Sequence, residues 1–188
     1  TFLNSKPPSV RLNLNLAGGN DTVIVGGGDL DNRGIFNPNT TLIGGAGTDS
    51  IRFDDHSDTD ASGETETYTF SPFTLAKGSP LLTYSSFEAQ TLDAADGLVP
   101  LSTVPAINLN ALSGQIDSTT INGGANRSCT VNVTQGNLAS IGGLTVNLPG
   151  GLDTLNLNDQ NSTVFPSSYT IPAVRVEDTG ITVSTALA

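Results

Sequence analysis

Thr41-Leu42-Ile43-Gly44-Gly45-Ala46-Gly47-Thr48-Asp49-Ser50-Ile51-Arg52-Phe53 is the stretch whose reading decides the fold. Residues Gly44 to Arg52 fill the frame G-G-x-G-x-D-x-U-x, in which U is a large apolar residue. Each position has a physical reason. The glycines admit positive φ and leave their carbonyls uncovered, Asp49 offers a charged oxygen, and Ile51 points back into a core between stacked strands.

The rest of the chain keeps time with this stretch. Gly18-Gly19 precede it by about 26 residues; Ala95-Asp96-Gly97 follow at about twice that step, and Gly123-Gly124 and Gly150-Gly151 at steps of about 27. The missing beat is expected at Phe70-Ser71-Pro72, and the last at Glu177-Asp178-Thr179-Gly180. Apolar alternation flanks the turns: Leu12, Leu14 and Leu16 before the first, Val23 and Val25 after it, Leu144, Val146 and Leu148 near the sixth, Ile181 and Val183 after the last. Asn15-Leu16-Ala17-Gly18-Gly19-Asn20-Asp21-Thr22-Val23 and Asn147-Leu148-Pro149-Gly150-Gly151-Leu152-Asp153-Thr154-Leu155 are the closest pair of copies. The pattern predicts one all-β domain over 1–188, a right-handed parallel β-helix or β-solenoid of roughly seven coils with about 26–27 residues per coil. Asparagines such as Asn13, Asn15, Asn108 and Asn110 are expected to stack into ladders between coils. An antiparallel sandwich with many glycine turns is the alternative.

The nonapeptide resembles the RTX, or hemolysin-type, calcium-binding repeat family, and the looser flanking repeats are similar to those of long bacterial surface proteins. Only Gly44 to Arg52 meets the full signature, and the beats lie further apart than back-to-back nonapeptides. The resemblance implies Ca2+ held between successive turns, with Asp49 as first ligand, Asp21 and Asp153 next, and the carbonyls of Gly19, Gly45, Gly47 and Gly151 as partners. It also implies an extracellular or cell-surface setting. For each aspartate the alternative is a cap on its own turn, bonding a backbone N–H two residues on.

Composition narrows the classes. Eighteen acidic against seven basic residues give a formal net charge of −11, which argues against nucleic acid or an anionic membrane as partner and favours cations. No apolar run is long enough to span a bilayer, and no basic n-region with an apolar h-region opens the chain, so membrane insertion is not expected. The start at Thr1 suggests a mature product or an excerpt of a longer chain. The single cysteine, Cys129, excludes an internal disulfide framework and is expected as a small buried residue of low reactivity.

Three function classes remain. The first is a structural polymer, in which the strand at Leu12, Leu14 and Leu16 and the strand at Ile181 and Val183 present unpaired edges for head-to-tail self-association. The second is a carbohydrate-binding or polysaccharide-modifying β-helix with a cell-surface polysaccharide as partner, for which a groove lined by Tyr68, Tyr84 or Tyr169 would speak. The third is an enzyme, but His56 sits in an acidic loop, and Lys6, Lys77, Arg11, Arg33, Arg52, Arg127 and Arg175 share no register. The acidic stretch Asp54 to Glu66 fails as a helix-loop-helix calcium site, since position twelve from Asp58 is Thr69. It reads as a solvated loop, or as a source of oxygen ligands beside Asp49. Taken together, the repeats favour a structural solenoid, and the resemblance implies that it is extracellular and stiffened by calcium.

Overall fold

The computed structural model describes residues 1–3, 11–30, 39–58, 67–71, 73–78, 81–95, 106–110, 116–125, 128–133, 143–149, 153–158 and 182–186. Among them the chain is all β, without helix. In order the strands are β1 (Phe2–Leu3), β2 (Leu12–Asn15), β3 (Thr22–Gly26), β4 (Thr40–Ile43), β5 (Ser50–Asp54), β6 (Thr67–Ser71), β7 (Thr74–Lys77), β8 (Leu81–Ser85), β9 (Ala89–Asp93), β10 (Ala106–Leu109), β11 (Ser118–Asn122), β12 (Thr130–Val133), β13 (Gly143–Asn147), β14 (Thr154–Asn158) and β15 (Thr182–Ala186).

Two sheets share these strands. The smaller runs β1-β3-β5-β9-β11-β13 and the larger β15-β14-β12-β10-β6-β7-β8-β4-β2. From β2 to β14, apart from β6, β7 and β8, which follow one another in the larger sheet, the chain passes from one sheet to the other and back, and the strands so paired run parallel. Among the described strands the antiparallel pairs are β6–β7 and β7–β8. Parallel pairing on this scale removes the antiparallel sandwich.

Residues alternate in and out as the period of two requires. Val23, Val25, Ile51, Phe53, Leu92 and Ile121 from the smaller sheet meet Leu42, Tyr68, Phe70, Tyr84, Ile107, Leu109, Val131 and Val133 from the larger in one buried core. Phe53 crosses between them, its ring 6.0 Å from Phe70 and 5.4 Å from Tyr84. Burying each such side chain stabilises by about 1.5–3 kcal/mol.

The register departs from the expected beat at one place. Thr22 pairs with Ser50, Ala89 with Ser118, and Ser118 with Gly143, steps of roughly 25 to 29 residues. Ser50, however, pairs directly with Ala89, and Thr41 with Thr83, a step of about 40. The beat placed at Phe70-Ser71-Pro72 is therefore no separate coil. Phe70 and Ser71 end β6, the first strand of a hairpin, Pro72 lies outside the described residues, and β6 and β7 lie inside the larger sheet between β8 and β10.

Of the asparagines expected in ladders, Asn108 takes part in one, whereas Asn13 and Asn15 stand opposite Thr41 and Ile43. Asn156 donates to Asn132 at 2.7 Å and Asn132 to Asn108 at 3.0 Å across β14, β12 and β10. A second ladder runs from Asn147 to Asn122 at 2.7 Å and from Asn122 to Asp93 at 2.6 Å, where Asp93 also pairs with Arg52. Each middle amide supplies a donor to one neighbour and an acceptor to the other, so the ladders tie together strands 24 to 29 residues apart in sequence.

Candidate functional site

The turn that leads into β5 is built on the turn that leads into β3. Gly19 N–H donates to Ala46 O at 2.9 Å, and Ala46 N–H to Ala17 O at 2.9 Å. Gly47 has φ +142°, and its Cα lies so close to the Gly19 carbonyl that an added Cβ would overlap the oxygen. Gly45, at φ +115°, stands in the same way against the Ala17 carbonyl. Only glycine permits both the positive φ and the close approach. The structure thus brings Gly19, Gly45 and Gly47 together as the sequence suggested.

Asp21, Asp49, Glu88 and Asp117 each stand directly before a strand of this sheet, in register with one another. Their contacts repeat. Asp49 Oδ1 accepts the Asp21 N–H at 2.7 Å, while Ser50 N–H returns to Asp21 O at 2.9 Å. Glu88 Oε2 accepts the Asp49 N–H at 2.6 Å, while Glu88 N–H returns to Asp49 O at 3.0 Å. Asp117 N–H continues to Glu88 O at 2.7 Å. The carboxylate caps the turn of the neighbouring rung, not its own turn as the sequence alternative held. Glu88 was not among the expected site residues. Its signal was there, an acidic residue one position before an alternating strand, as at Asp21 and Asp49.

Asp49 is 1% exposed, and its Oδ2 has no hydrogen-bond partner. That oxygen packs beside Gly44, where a Cβ would press against it and also overlap the Ser86 carbonyl. A buried carboxylate oxygen without a partner is costly, and such atoms are few in folded proteins. Among the described residues no three Asp, Glu, His or Cys side chains converge as a ready metal cage.

Asp153 uses the same device elsewhere. Its Oδ1 accepts the Cys129 N–H at 2.7 Å and Thr154 N–H returns to Cys129 O at 2.9 Å, but Thr154 opens a strand of the larger sheet. It therefore stands apart from Asp21 and Asp49, although its local sequence is the nearest copy of theirs. Burial raises the Asp153 carboxyl, opposed by the Cys129 N–H. Cys129 is itself buried, and burial followed by the Asp153 charge pushes its thiol up to about 12. Gly151 lies outside the described residues.

Of the expected assembly residues, Leu12 and Leu14 lie on β2 and Val183 on β15, the two terminal strands of the larger sheet among the described residues. Leu16 follows β2 and donates its N–H to Ile43 O at 3.0 Å. Ile181 lies outside the described residues. Tyr68 and Tyr84 are 0% and 1% exposed and line no open groove, while Tyr169 lies outside the described residues.

Of the acidic stretch Asp54 to Glu66, residues 59–66 lie outside the described residues, and the part up to Asp58 differs from expectation. Asp55 and Asp58 are buried, not solvated, and Lys77 Nζ stands between them at 2.8 Å and 2.6 Å. His56 in the same loop is exposed and bonds Asp54. Comparison of the chain with protein-family profiles, with curated proteins and with solved structures finds no match.

Proposed function

We propose that the chain is an extracellular or cell-surface structural protein, a calcium-stiffened right-handed β-solenoid that self-associates through its end strands into filaments or a surface matrix. The observation that carries this reading is the in-register row Asp21, Asp49, Glu88 and Asp117, at whose centre Asp49 Oδ2 is buried without a partner. Carboxylates stacked at strand spacing repel one another, and a divalent cation offsets both that repulsion and the orphaned oxygen. Calcium would take Asp49 Oδ2 and turn carbonyls as hard oxygen ligands, supplying charge and rigidity.

The alternation of parallel strands between two sheets supports solenoid coiling, and the right hand follows from the handedness of parallel crossovers. The formal charge of −11 supports cations and disfavours polyanions as partners. A polysaccharide partner gains nothing from Tyr68 and Tyr84, which are buried.

Light scattering and thermal melting in millimolar calcium and in excess chelator test the reading. Calcium is expected to raise the melting temperature and the particle size reversibly, with Asp49→Asn abolishing the response. A monomer of unchanged melting temperature in both buffers would end both the metal and the polymer.

A further inference from the structure

The structure holds a buried charged cluster that the row of turn carboxylates does not include. Lys77 is on β7 and Tyr68 on β6, the two strands inserted into the larger sheet, and the loop after β5 reaches across to them with Asp55 and Asp58. The side chains of Lys77, Asp55 and Asp58 are 5%, 0% and 2% exposed. Lys77 Nζ lies 2.8 Å from Asp55 Oδ2 and 2.6 Å from Asp58 Oδ2, and 5.8 Å from the centre of the Tyr68 ring. Tyr68 donates its hydroxyl to the same Asp55 Oδ2, and the Leu30 N–H donates to Asp55 Oδ1 at 2.7 Å.

We propose that Lys77 Nζ and the Asp55 carboxyl condense into an intramolecular amide that cross-links β7 to the loop after β5. An ammonium and two carboxylates in a dry core carry a large desolvation cost, and proton transfer from Nζ to Asp55 removes two of the three charges. The result is a neutral amine held against a carboxylic acid, the pair that can react. Burial raises the Asp55 carboxyl, in the direction this transfer needs, although Lys77, Tyr68 and Leu30 all oppose it.

The step balances without a co-reactant. Nζ attacks Asp55 Cγ, and the C–O π electrons move to Oδ1, where the Leu30 N–H meets the developing charge. Asp58 takes a second proton from nitrogen and the cluster returns it to Oδ2, next to the Tyr68 hydroxyl. The Cγ–Oδ2 bond breaks and water leaves, so ammonium plus carboxylate become amide plus water with no change in net charge. Holding amine and carboxyl in contact supplies the effective concentration that makes such a step accessible without activation by a nucleotide.

Intact-mass spectrometry of the full chain under denaturing conditions is the test, and the expected mass is lower than that of the sequence by one water. Trypsin is expected to spare Lys77, and cleavage at Glu64 and Glu66 is expected to leave the segments bearing Asp55 and Lys77 joined. Asp58→Asn keeps both reacting groups and is expected to slow or prevent the bond, read as recovery of the full mass. Asp96-Gly97 could also lose one water by cyclising to a succinimide, so a loss mapped there overturns the proposal. A wild-type chain of full mass, folded by circular dichroism, overturns it as well.

Discussion

Asp49 Oδ1 accepts the backbone N–H of Asp21, 28 residues earlier, at 2.7 Å. One carboxylate therefore does what a turn residue usually does for itself, and binds two rungs in doing so. Asp49→Ala leaves the Asp21 N–H without its acceptor and is expected to cost about 1–3 kcal/mol in urea unfolding. Asp49→Asn keeps an oxygen in place and is expected to cost less, while losing any calcium-dependent gain in melting temperature. The pair separates the structural share of Asp49 from its share in metal binding.

Glycine substitutions in the same corner should rank by what surrounds each Cα. Gly47→Ala combines φ +142° with overlap of the Gly19 carbonyl and is expected to unfold the corner. Gly19→Ala meets nothing within 4 Å at φ +117° and is expected to cost only the backbone strain of that conformation, about 1–3 kcal/mol. Ala17 already sits at φ 69°, so Ala17→Gly is expected to be neutral or mildly stabilising. Denaturant midpoints of the three variants give the order directly.

Asn132 holds the middle of its ladder, donating to Asn108 and accepting from Asn156. Asn132→Ala removes both bonds at about 0.5–1.5 kcal/mol each, for a total of about 1–3 kcal/mol. Asn147→Ala removes one exposed bond and is expected to cost about 0.5 kcal/mol. A lowered midpoint at unchanged denaturant slope is the expected signature.

Asp153 gives a pH dependence of definite sign. Burial holds its folded carboxyl above the ordinary 3.8, so the folded chain keeps that proton to higher pH than the unfolded chain. Its contribution is greatest below 3.8 and falls as pH rises through the interval up to the folded value. Asp153→Asn removes the titration, and its melting temperature is expected to gain on the wild type across that interval. Asp55 is the same in both chains and cancels in the difference.

Cys129 is buried, with its thiol pushed up to about 12, and so offers almost no thiolate at neutral pH. Labelling by a disulfide reagent is expected to follow global unfolding, its rate rising with denaturant as the melting signal falls. Fast labelling of the folded chain would contradict the burial.

The strands and their partners were legible because glycine turns recur and the flanking residues alternate. Leu12-Asn13-Leu14-Asn15 and Ile107-Asn108-Leu109-Asn110 announce both a buried face and a ladder face. The hairpin was not legible, since its spacing disguised two extra strands as one more beat. Thr74-Leu75-Ala76-Lys77 does carry a signal, for Lys77 falls on the face of buried Leu75, and a charge on an inward face calls for a buried partner. Asp55 and Asp58 gave no such sign, because acidic residues in a polar loop look solvated until the fold places a lysine against them. The role of Glu88 was hidden by its longer side chain in a position where Asp recurs.

The extra strands also set a shape. Between β9 and β11 the smaller sheet advances by one strand, while between β8 and β10 the larger advances by three. At the usual strand spacing that is about 5 Å on one side and about 14 Å on the other. Unequal advance of the two sheets would splay the two ends of such a body, and the Asp55–Lys77–Asp58 cluster sits with the inserted pair through Lys77 on β7. Chains joined end to end would tilt by the same angle at every joint, and the polymer would grow as an arc or a superhelix of fixed radius.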